Sequence, residues 1–453
     1  MQILLDILPL LNNEVTLNIR VLQEIIKSCY CISSGGVTMK NLSRWAGSGA
    51  SYRTIQRFFG TEIAWITLNI ILFQIWLDDQ GIKFDQTRFV LAVDEVVVTK
   101  SRKQTYGVGW FYSSIIQKVC PSICTQVVSL IDTKKRRSFP LQEDQQFYRK
   151  PKKEVSQQKE KKSTKRKTSG RPPGSKNKNK TIDDKAIYTS LNKLLSVIMI
   201  CLSKIWISPK YCVADGKYGN KNGVLIAQGN GLELISKLNK TSNLYFPYVK
   251  PGGVKQKGKR KYGNKLENLS EEYLVKTEVD AKGIKTEIYH YPAMYSRRIY
   301  CKINIVIIKV TKPNGKTCKV ILFSSCLKLT WEQIINIYSC RFQIEFNFRD
   351  AKQYFGLSDF KNTKKQTVHN AINFSFFMVN ISNILRSRMA KELDCEQMSI
   401  QDLKAVFRAQ YYVDAVINYV VKNQEINLTE EQQKELWTIG AINLTKSTEN
   451  KAA

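Results

Sequence analysis

The spacing of hydrophobic residues changes along the chain from a helical to a strand-like pattern. In residues 1–80, apolar side chains recur at intervals of three and four, which predicts amphipathic helices. From residue 89 a continuous apolar run follows and ends in Asp94. Such a run is typical of a buried strand, here with a carboxylate at its end.

The rest of the chain alternates between the two patterns. The apolar positions predict further strands at residues 106–113, 126–132, 211–215, 273–279, 302–311 and 319–325. They predict further helices at residues 183–204, 331–355, 368–393, 400–423 and 430–439. Turns that contain proline and glycine separate the strands of residues 240–328, which we interpret as a β-rich insertion.

Two short amphipathic stretches near the N-terminus, residues 40–46 and 51–59, are joined by a glycine-containing turn. Ser51 is suited to cap the second helix, and the pattern fits a helix-turn-helix, whose second helix enters the major groove of DNA. The residues that would then face DNA are Tyr52, Arg53, Gln56 and Arg57, and those that would pack inward are Ile55, Phe58 and Phe59. An ordinary helical hairpin with a solvated basic face explains the pattern equally well.

The composition indicates a globular protein with anionic partners. Hydrophobic residues make up 43% of the 453 residues, which is enough for a large core and excludes a disordered chain. There are 71 Lys and Arg against 38 Asp and Glu, a formal net charge of +33, which predicts attraction to polyanions such as nucleic acid. No apolar stretch approaches the roughly 20 residues of a membrane span, so no membrane partner is expected.

Much of the excess positive charge lies in residues 134–180, where 18 Lys and Arg stand against 4 Asp and Glu. Within this segment, residues 170–178 resemble an AT-hook, whose Arg-Pro core, here with Arg171, lies in the narrow minor groove of A·T-rich DNA. A disordered linker with general phosphate affinity explains the segment as well.

Other residue types exclude several mechanisms. Eleven cysteines are too sparse for a disulfide scaffold, so reduced thiols and a cytoplasmic location are expected, on the nucleoid if the source is bacterial. Two histidines in the whole chain disfavour histidine-based catalysis. No GxxxxGK[ST] motif occurs, so no nucleotide cofactor is expected.

Two aspartates occupy corresponding positions at the ends of predicted strands, Asp94 after the first apolar run and Asp215 after a later one. Carboxylate oxygens suit Mg²⁺ or Mn²⁺, and two such ions about 4 Å apart can activate water and stabilise the leaving oxygen in phosphodiester cleavage. Glu95 follows Asp94 directly. Because neighbouring residues of a strand point to opposite faces, only one of the two can enter the site. We favour Asp94, the first acid after the apolar run, and keep Glu95 as the alternative.

A third carboxylate, Glu345, lies on a predicted helix with a polar stripe. Tyr338, Glu345 and Lys352 are seven residues apart, and Arg341 precedes Glu345 by four, so all four lie along one side of a continuous helix. The stripe runs among phenylalanines, which is not typical of solvated surface. A carboxylate beside these three residue types is suited to bind phosphates around a metal.

These four residues match, without a gap, the Y-(2)-R-(3)-E-(6)-K motif of the DDE transposases of the insertion-sequence-four family. The segment that begins Asp215-Gly216-Lys217-Tyr218 resembles the second-aspartate segment of that family, and the resemblance extends over roughly residues 81–395. It implies an α/β fold, with a ribonuclease-H-like catalytic core and a β-rich insertion. We add to this an N-terminal helical, helix-turn-helix-like DNA-binding domain.

The resemblance also implies a role for each residue of the site. The catalytic residues, which would bind two Mg²⁺ or Mn²⁺ ions, are Asp94, Asp215 and Glu345. The residues that would contact phosphates near the cleaved end are Tyr338, Arg341 and Lys352. The implied partners are double-stranded DNA, as transposon ends and as target, and a second copy of the chain in a homodimeric synaptic complex.

The predicted organisation has seven parts. They are a helical DNA-binding domain (1–80), the first part of the catalytic core (81–133), a basic flexible segment with the AT-hook-like motif (134–182), the second part of the core (183–239), the β-rich insertion (240–328), the third part of the core (329–395) and a C-terminal helical region (396–453).

The sequence therefore predicts a cut-and-paste DNA transposase that binds the terminal inverted repeats of its insertion sequence. It would hydrolyse the phosphodiester at the ends and join the 3′ ends to target DNA. Two alternatives stay open. One is a catalytically silent DNA-binding architectural or regulatory protein derived from a transposase, and the other is a metal-dependent DNA nuclease without strand transfer.

Overall fold

A computed structural model gives the fold of the chain. The structure describes residues 2–12, 18–33, 35–46, 50–101, 104–147, 184–249, 262–299, 301–420 and 429–437. The AT-hook-like residues 170–178, with Arg171, lie outside the described residues.

The N-terminal part is helical, as predicted, with α1 (Gln2–Asn12), α2 (Ile19–Cys31), α3 (Met39–Trp45), α4 (Tyr52–Gly60) and α5 (Trp65–Asp79). The two short helices, α3 and α4, lie where the sequence predicts them. Ser51 caps α4, because its Oγ accepts a hydrogen bond from the amide of Thr54 at 3.3 Å. Ile55, Phe58 and Phe59 are buried, as expected for the inward face of α4.

The strands lie between residues 89 and 324. They are β1 (Phe89–Thr99), β2 (Gly109–Ser113), β3 (Lys118–Asp132), β4 (Arg137–Gln146), β5 (Tyr211–Ala214), β6 (Glu233–Leu238), β7 (Leu244–Pro247), β8 (Tyr262–Lys265), β9 (Leu274–Val279), β10 (Lys285–Ser296), β11 (Lys302–Thr311) and β12 (Thr317–Ser324).

These strands form one mixed sheet in the order β2-β3-β1-β5-β6-β12-β11-β10-β7-β8, with β4 beside β3 and β9 beside β10. β1, β5 and β6 are parallel neighbours, and the other pairs that the structure describes are antiparallel. The strands of residues 240–328 extend the sheet of the core, because β12 pairs with β6. The β-rich segment is therefore continuous with the central sheet.

The remaining helices are α6 (Asp184–Ser203), α7 (Lys221–Gly229), α8 (Trp331–Cys340), α9 (Gln343–Tyr354), α10 (Lys365–Glu392), α11 (Ile400–Val420) and α12 (Glu430–Trp437). α5, α6, α9 and α10 all contact β4. By length and composition, residues 186–203 of α6 could cross a membrane, which the sequence prediction did not identify. The face of α6 that carries Ile187, Leu194 and Ile198 is buried in the core.

The N-terminal and C-terminal helices share one hydrophobic core. The ring of Tyr30 on α2 stacks on that of Phe407 on α11 with centroids 4.6 Å apart. Its hydroxyl is 2.7 Å from Ser382 Oγ on α10. Trp65 at the start of α5 donates its indole N–H to Asn370 Oδ1 on α10 at 2.9 Å. The N-terminal helices are thus packed directly on the helices that follow the motif.

The sequence predicts Asp94 at the end of a strand, but β1 continues to Thr99, so Asp94 lies within the strand and this prediction is wrong. Four strands, β6, β7, β8 and β10, were not predicted. Three further predictions of local structure are corrected. β3 begins at Lys118, before the predicted start at residue 126, and β4 forms at Arg137–Gln146, inside the segment predicted to be flexible from residue 134. Burial explains β4, because Phe139 and Leu141 are fully enclosed and outweigh the surrounding charges. The third correction, to the helix predicted over residues 331–355, concerns the candidate site.

Candidate active site

Asp94 and Asp215 are brought side by side by the parallel pairing of β1 with β5. In this pairing Val93 is opposite Ala214. The next residue after each of these two is an aspartate. Adjacent strands of a sheet are about 4.8 Å apart. The topology therefore unites two carboxylates that are widely separated in sequence.

Arg341 connects the first of these aspartates to Glu345. Its Nη1 donates to Asp94 Oδ2 at 2.7 Å and its Nη2 donates to Glu345 Oε1 at 2.8 Å. The side chains of Arg341 and Asp94 are 13% and 21% exposed, so this charge-assisted hydrogen bond forms where water is largely excluded, whereas the side chain of Glu345 is 39% exposed. The structure thus joins three of the residues that the motif predicts for the site.

The helix that carries the motif is interrupted, so the prediction of one continuous helix over residues 331–355 is wrong. α8 ends at Cys340 and α9 begins at Gln343. Across the joint, the amides of Arg341, Phe342 and Glu345 donate to carbonyls three residues back. This spacing belongs to the tighter 3₁₀ helix. Arg341 lies in the tightened turn, and Glu345 lies in the first turn of α9.

Tyr338 and Lys352, the two ends of the motif, lie in different surroundings. Burial raises the pKa of Tyr338, Arg341 opposes this effect, and Asp215 and Asp94 add to it, which places the phenol among the carboxylates. Lys352 instead donates its Nζ to the carbonyl of Val97 on β1 at 3.0 Å, and burial lowers its pKa.

The carboxylates of the site influence one another. Burial raises the pKa of Asp94 to about 6, against the lowering effects of Arg341 and of the Glu95 amide. Asp215 and Glu345 also contribute to this raised pKa, because like charges disfavour a second negative charge nearby. The site therefore contains an excess of negative charge that Arg341 balances only in part.

Glu95 points away from this site, as strand alternation requires. Its Oε1 accepts hydrogen bonds from Lys217 Nζ at 2.5 Å and from the Tyr218 hydroxyl at 2.9 Å. Gln126 on β3 donates to the same hydroxyl at 2.6 Å. This network, absent from the sequence prediction, ties the turn after Asp215 to β1. Two signals in the sequence could have revealed it. One is the second acid, Glu95, directly after Asp94, and the other is the Lys217-Tyr218 pair just after Asp215.

The turn that follows Asp215 lies close to β6. The Asp215 carbonyl accepts hydrogen bonds from the Tyr218 amide at 2.9 Å and from Ser236 Oγ at 3.0 Å. A Cβ at Gly219 would lie 2.5 Å from the carbonyl oxygen of Lys237, so a glycine is needed there. The backbone before and after Asp215 is thereby held in place while its side chain stays exposed.

The donor atoms of the site suit a hard divalent cation. Asp94, Asp215 and Glu345 offer carboxylate oxygens, which Mg²⁺ and Mn²⁺ prefer. Within the part of the chain that the structure describes, no group of three His, Cys, Asp or Glu side chains is arranged as a ready metal-binding cluster. Arg341 contacts two of the three carboxylates. The residues fit a metal by the chemistry of their donor atoms, and Arg341 is the group a metal would have to displace.

The predicted DNA-facing residues of α4 form a polar surface of their own. Tyr52 is 46% exposed, and Arg53, Gln56 and Arg57 are exposed. Tyr52, Gln56 and Arg57 border a groove that also includes residues from 361–367, which lead from the loop after α9 into the first turn of α10. The structure therefore places α4 beside the segment that follows the motif helix.

Comparison with known proteins gave a family match and matches to solved structures, among them one of low similarity. Residues 20–289 match a family model described as DDE superfamily endonuclease, a range that includes Asp94 and Asp215. No curated protein matched. A cryo-EM structure of the piggyBac transposase synaptic complex with hairpin DNA is similar over 96% of this chain and 78% of that chain, with 9% identity and a TM-score of 0.37.

Proposed function

Because the chain belongs to the DDE superfamily of endonucleases, we propose that it is a DNA transposase of the cut-and-paste type. It binds the terminal inverted repeats of its element, hydrolyses the phosphodiester at each end and joins the 3′ ends to target DNA. The observation that carries this proposal is the convergence of Asp94, Asp215 and the Arg341–Glu345 pair where the parallel pairing of the central strands β1 and β5 ends. The Tyr-Arg-Glu-Lys motif supports a transposase of the insertion-sequence-four type.

The three carboxylates are the proposed metal ligands. Endonucleases of this superfamily generally use divalent metal ions, and we assign two Mg²⁺ or Mn²⁺ ions to Asp94, Asp215 and Glu345. When bound, such a pair supplies an activated water and neutralises the leaving oxygen. Asp94 must be ionised to take part, and its pKa of about 6 leaves it mostly ionised at neutral pH.

The cationic and phenolic residues of the motif are the proposed phosphate contacts. Arg341 can exchange a carboxylate for a phosphate, because its planar guanidinium binds both with the same paired hydrogen bonds. Tyr338 faces the aspartates and has a hydroxyl to donate. Lys352 now donates to the Val97 carbonyl, and its contact with a phosphate requires that it leave this position.

DNA binding is assigned to two regions. The exposed residues of α4 supply end recognition, and the basic segment with Arg171 adds affinity for A·T-rich DNA. Most of the affinity comes from phosphate contacts, so it decreases steeply with salt. The proposal also includes a homodimer that holds two ends and a cytoplasmic location.

The decisive experiment is Mg²⁺-dependent cleavage of DNA that carries the ends of the element. Wild type is compared with Asp215→Asn and Glu345→Gln on a gel that separates nicks, breaks and hairpins. Loss of an outer-sphere partner of a metal ligand typically costs 10–100-fold in activity, so loss of a ligand itself should cost at least about 100-fold. Glu278→Gln, at a 60% exposed carboxylate on β9, is the matched control and should cleave like wild type.

The possible results separate the three candidate functions. Cuts at the ends that require metal and Asp215, followed by joining to target DNA, support the transposase. Cuts without joining indicate a nuclease. Tight end binding without cutting by any of the proteins indicates a catalytically silent DNA-binding protein.

A further inference from the structure

The groove beside α4 is lined by cations and lacks acids. It has a volume of about 730 Å³, with α3 and α4 on one side and residues 361–367 on the other. Four of its residues, Lys40, Arg57, Lys361 and Lys364, are cationic, and its lining contains no Asp or Glu. None of the four makes an ion pair with the described residues. Among the described residues, the groove therefore has a net positive charge that no ion pair neutralises.

Both walls of the groove are fixed to the same part of the fold. Asn370 on α10 donates its Nδ2 to the carbonyls of Phe59 and Thr61, at 2.8 and 2.7 Å, where α4 ends. Asp359 accepts the amide of Val37, just before α3, at 2.8 Å. The position of α4 relative to residues 361–367 is thus set by buried hydrogen bonds, and the groove exists before any ligand binds.

The second wall is also tied to the strand that carries Asp94. Lys100 follows β1 directly, and its Nζ donates to the carbonyls of Ser358 and Phe360 at 3.1 and 3.0 Å. The amide of Tyr106 donates to the carbonyl of Thr363 at 3.0 Å. A ligand held in the groove therefore has a defined position relative to the candidate active site.

We propose that this groove holds one sugar-phosphate backbone of duplex DNA, with Lys40, Lys361 and Lys364 on its phosphates. This inference rests on the proposed function and adds a second wall to the surface assigned to α4. In such an arrangement α4 reads the adjoining major groove, and the opposite wall fixes its register through phosphate contacts. The lining contains one aromatic side chain, Tyr52. Surfaces for unpaired strands instead present successive aromatic rings, so the lining favours a duplex.

The test is the salt dependence of binding to duplex DNA from the end of the element, measured by fluorescence anisotropy without divalent metal. The test variant is Lys361→Gln with Lys364→Gln, and both lysines are exposed. Each lost phosphate contact lowers the slope of log affinity against log salt by about 0.9, so the double variant should lower it by about 1.8. Lys282→Gln with Lys316→Gln, two exposed lysines in turns of the β-rich segment, is the matched control and should leave the slope unchanged.

Each outcome decides between the groove and the function. A lower slope in the test variant alone, with duplex affinity reduced more than single-strand affinity, supports the proposal. A slope equal to that of the control overturns it, and so does a loss confined to single-stranded DNA. If wild type cleaves its ends while the test variant keeps the wild-type slope, the groove assignment fails and the transposase stands. If wild type neither binds nor cleaves the ends, the proposed function fails as well.

Discussion

Arg341 is the residue on which the charge balance of the candidate site depends. Burial lowers its pKa, but Asp94, Tyr338 and Glu345 outweigh this effect, and the net shift of the pKa is upward. The guanidinium thus stays charged between two carboxylates in the absence of a metal. Arg341 lies between Asp94 and Glu345, so it and a divalent cation would compete for the same carboxylate oxygens.

Arg341→Gln should therefore change stability in a metal-dependent way. A hydrogen bond to a charged partner contributes about 1.5–3 kcal/mol, so loss of the Asp94 and Glu345 contacts should lower the free energy of unfolding by about 2 kcal/mol in EDTA. Added Mg²⁺ should stabilise the variant more than wild type, because the unopposed carboxylates bind it more tightly. Thermal unfolding with and without Mg²⁺ measures both effects.

Arg349→Gln is the control for this prediction. Arg349 lies on α9, which begins two residues after Arg341. Its side chain is 60% exposed, and its ion pair is with Asp350. The Mg²⁺ response of this variant should equal that of wild type. An equal response in Arg341→Gln would mean that the guanidinium does not compete with metal at this site.

At the scale of the elements, a buried carboxylate joins β4 to α10. Glu143 on β4 is fully enclosed, and its Oε1 accepts hydrogen bonds from His369 Nδ1 and Asn373 Nδ2, each at 2.8 Å. Thr125 on β3 donates to its other oxygen. Burial lowers the pKa of His369, but Glu143 outweighs this effect and the net shift is upward from 6.5. This strand, which was not predicted from the sequence, is thereby attached to the longest helix of the described residues.

The contact of His369 with Glu143 should make stability depend on pH. A histidine whose pKa is raised by folding contributes its full stabilisation below the ordinary pKa, and this contribution is lost as pH rises through the folded-state value. The loss of stability caused by His369→Gln should therefore be larger near about pH 6 than near about pH 9. Urea unfolding of both proteins at the two pH values measures this difference.

A double-mutant cycle supplies the control. In a Glu143→Gln background the carboxylate is absent, so His369→Gln should no longer have a pH-dependent cost. If His369→Gln in the wild-type background lowers the free energy of unfolding by the same amount at both pH values, the carboxylate does not govern the titration of the histidine.

At the scale of the whole molecule, α4 depends on α10 for its position. Asn370 is completely buried, donates to the carbonyls of Phe59 and Thr61, and accepts the indole N–H of Trp65. One side chain thus satisfies three groups at the junction between α4 and α5. The helical N-terminal part and the motif-bearing part are connected through this residue.

Asn370→Ala should lower the free energy of unfolding by about 3 kcal/mol, because buried groups left without partners cost about 1–3 kcal/mol each. It should also weaken binding to the ends of the element, although Asn370 does not line the groove. Asn383 lies on the same helix as Asn370 and makes one partly buried hydrogen bond, to the carbonyl of Ser138 on β4. Asn383→Ala should cost about 1 kcal/mol and leave DNA affinity unchanged. Equal stability losses in the two variants would contradict the central role of Asn370.

The pattern of the sequence determined the helical N-terminal part, the strand that carries Asp94, and three strands of the β-rich segment, β9, β11 and β12. These features depend on local periodicity and on turn residues, both of which can be read within one segment of the sequence. Strand alternation limited the site to one of Asp94 and Glu95, and the choice of Asp94 rested on its place as the first acid after the apolar run. In the structure Asp94 contacts Arg341, and Glu95 contacts Lys217. The roles of the site residues stay predictions until they are tested.

Tertiary structure alone decided the features that depend on partners distant in sequence. β4 forms in a highly charged segment because neighbouring elements bury its apolar side chains. The helix around Arg341 tightens where its guanidinium meets Asp94 on β1. The groove between α4 and residues 361–367 unites segments about three hundred positions apart, as loop closure over long distances permits at modest entropic cost. Periodicity records which face of an element is buried, but it holds no information about which element covers that face.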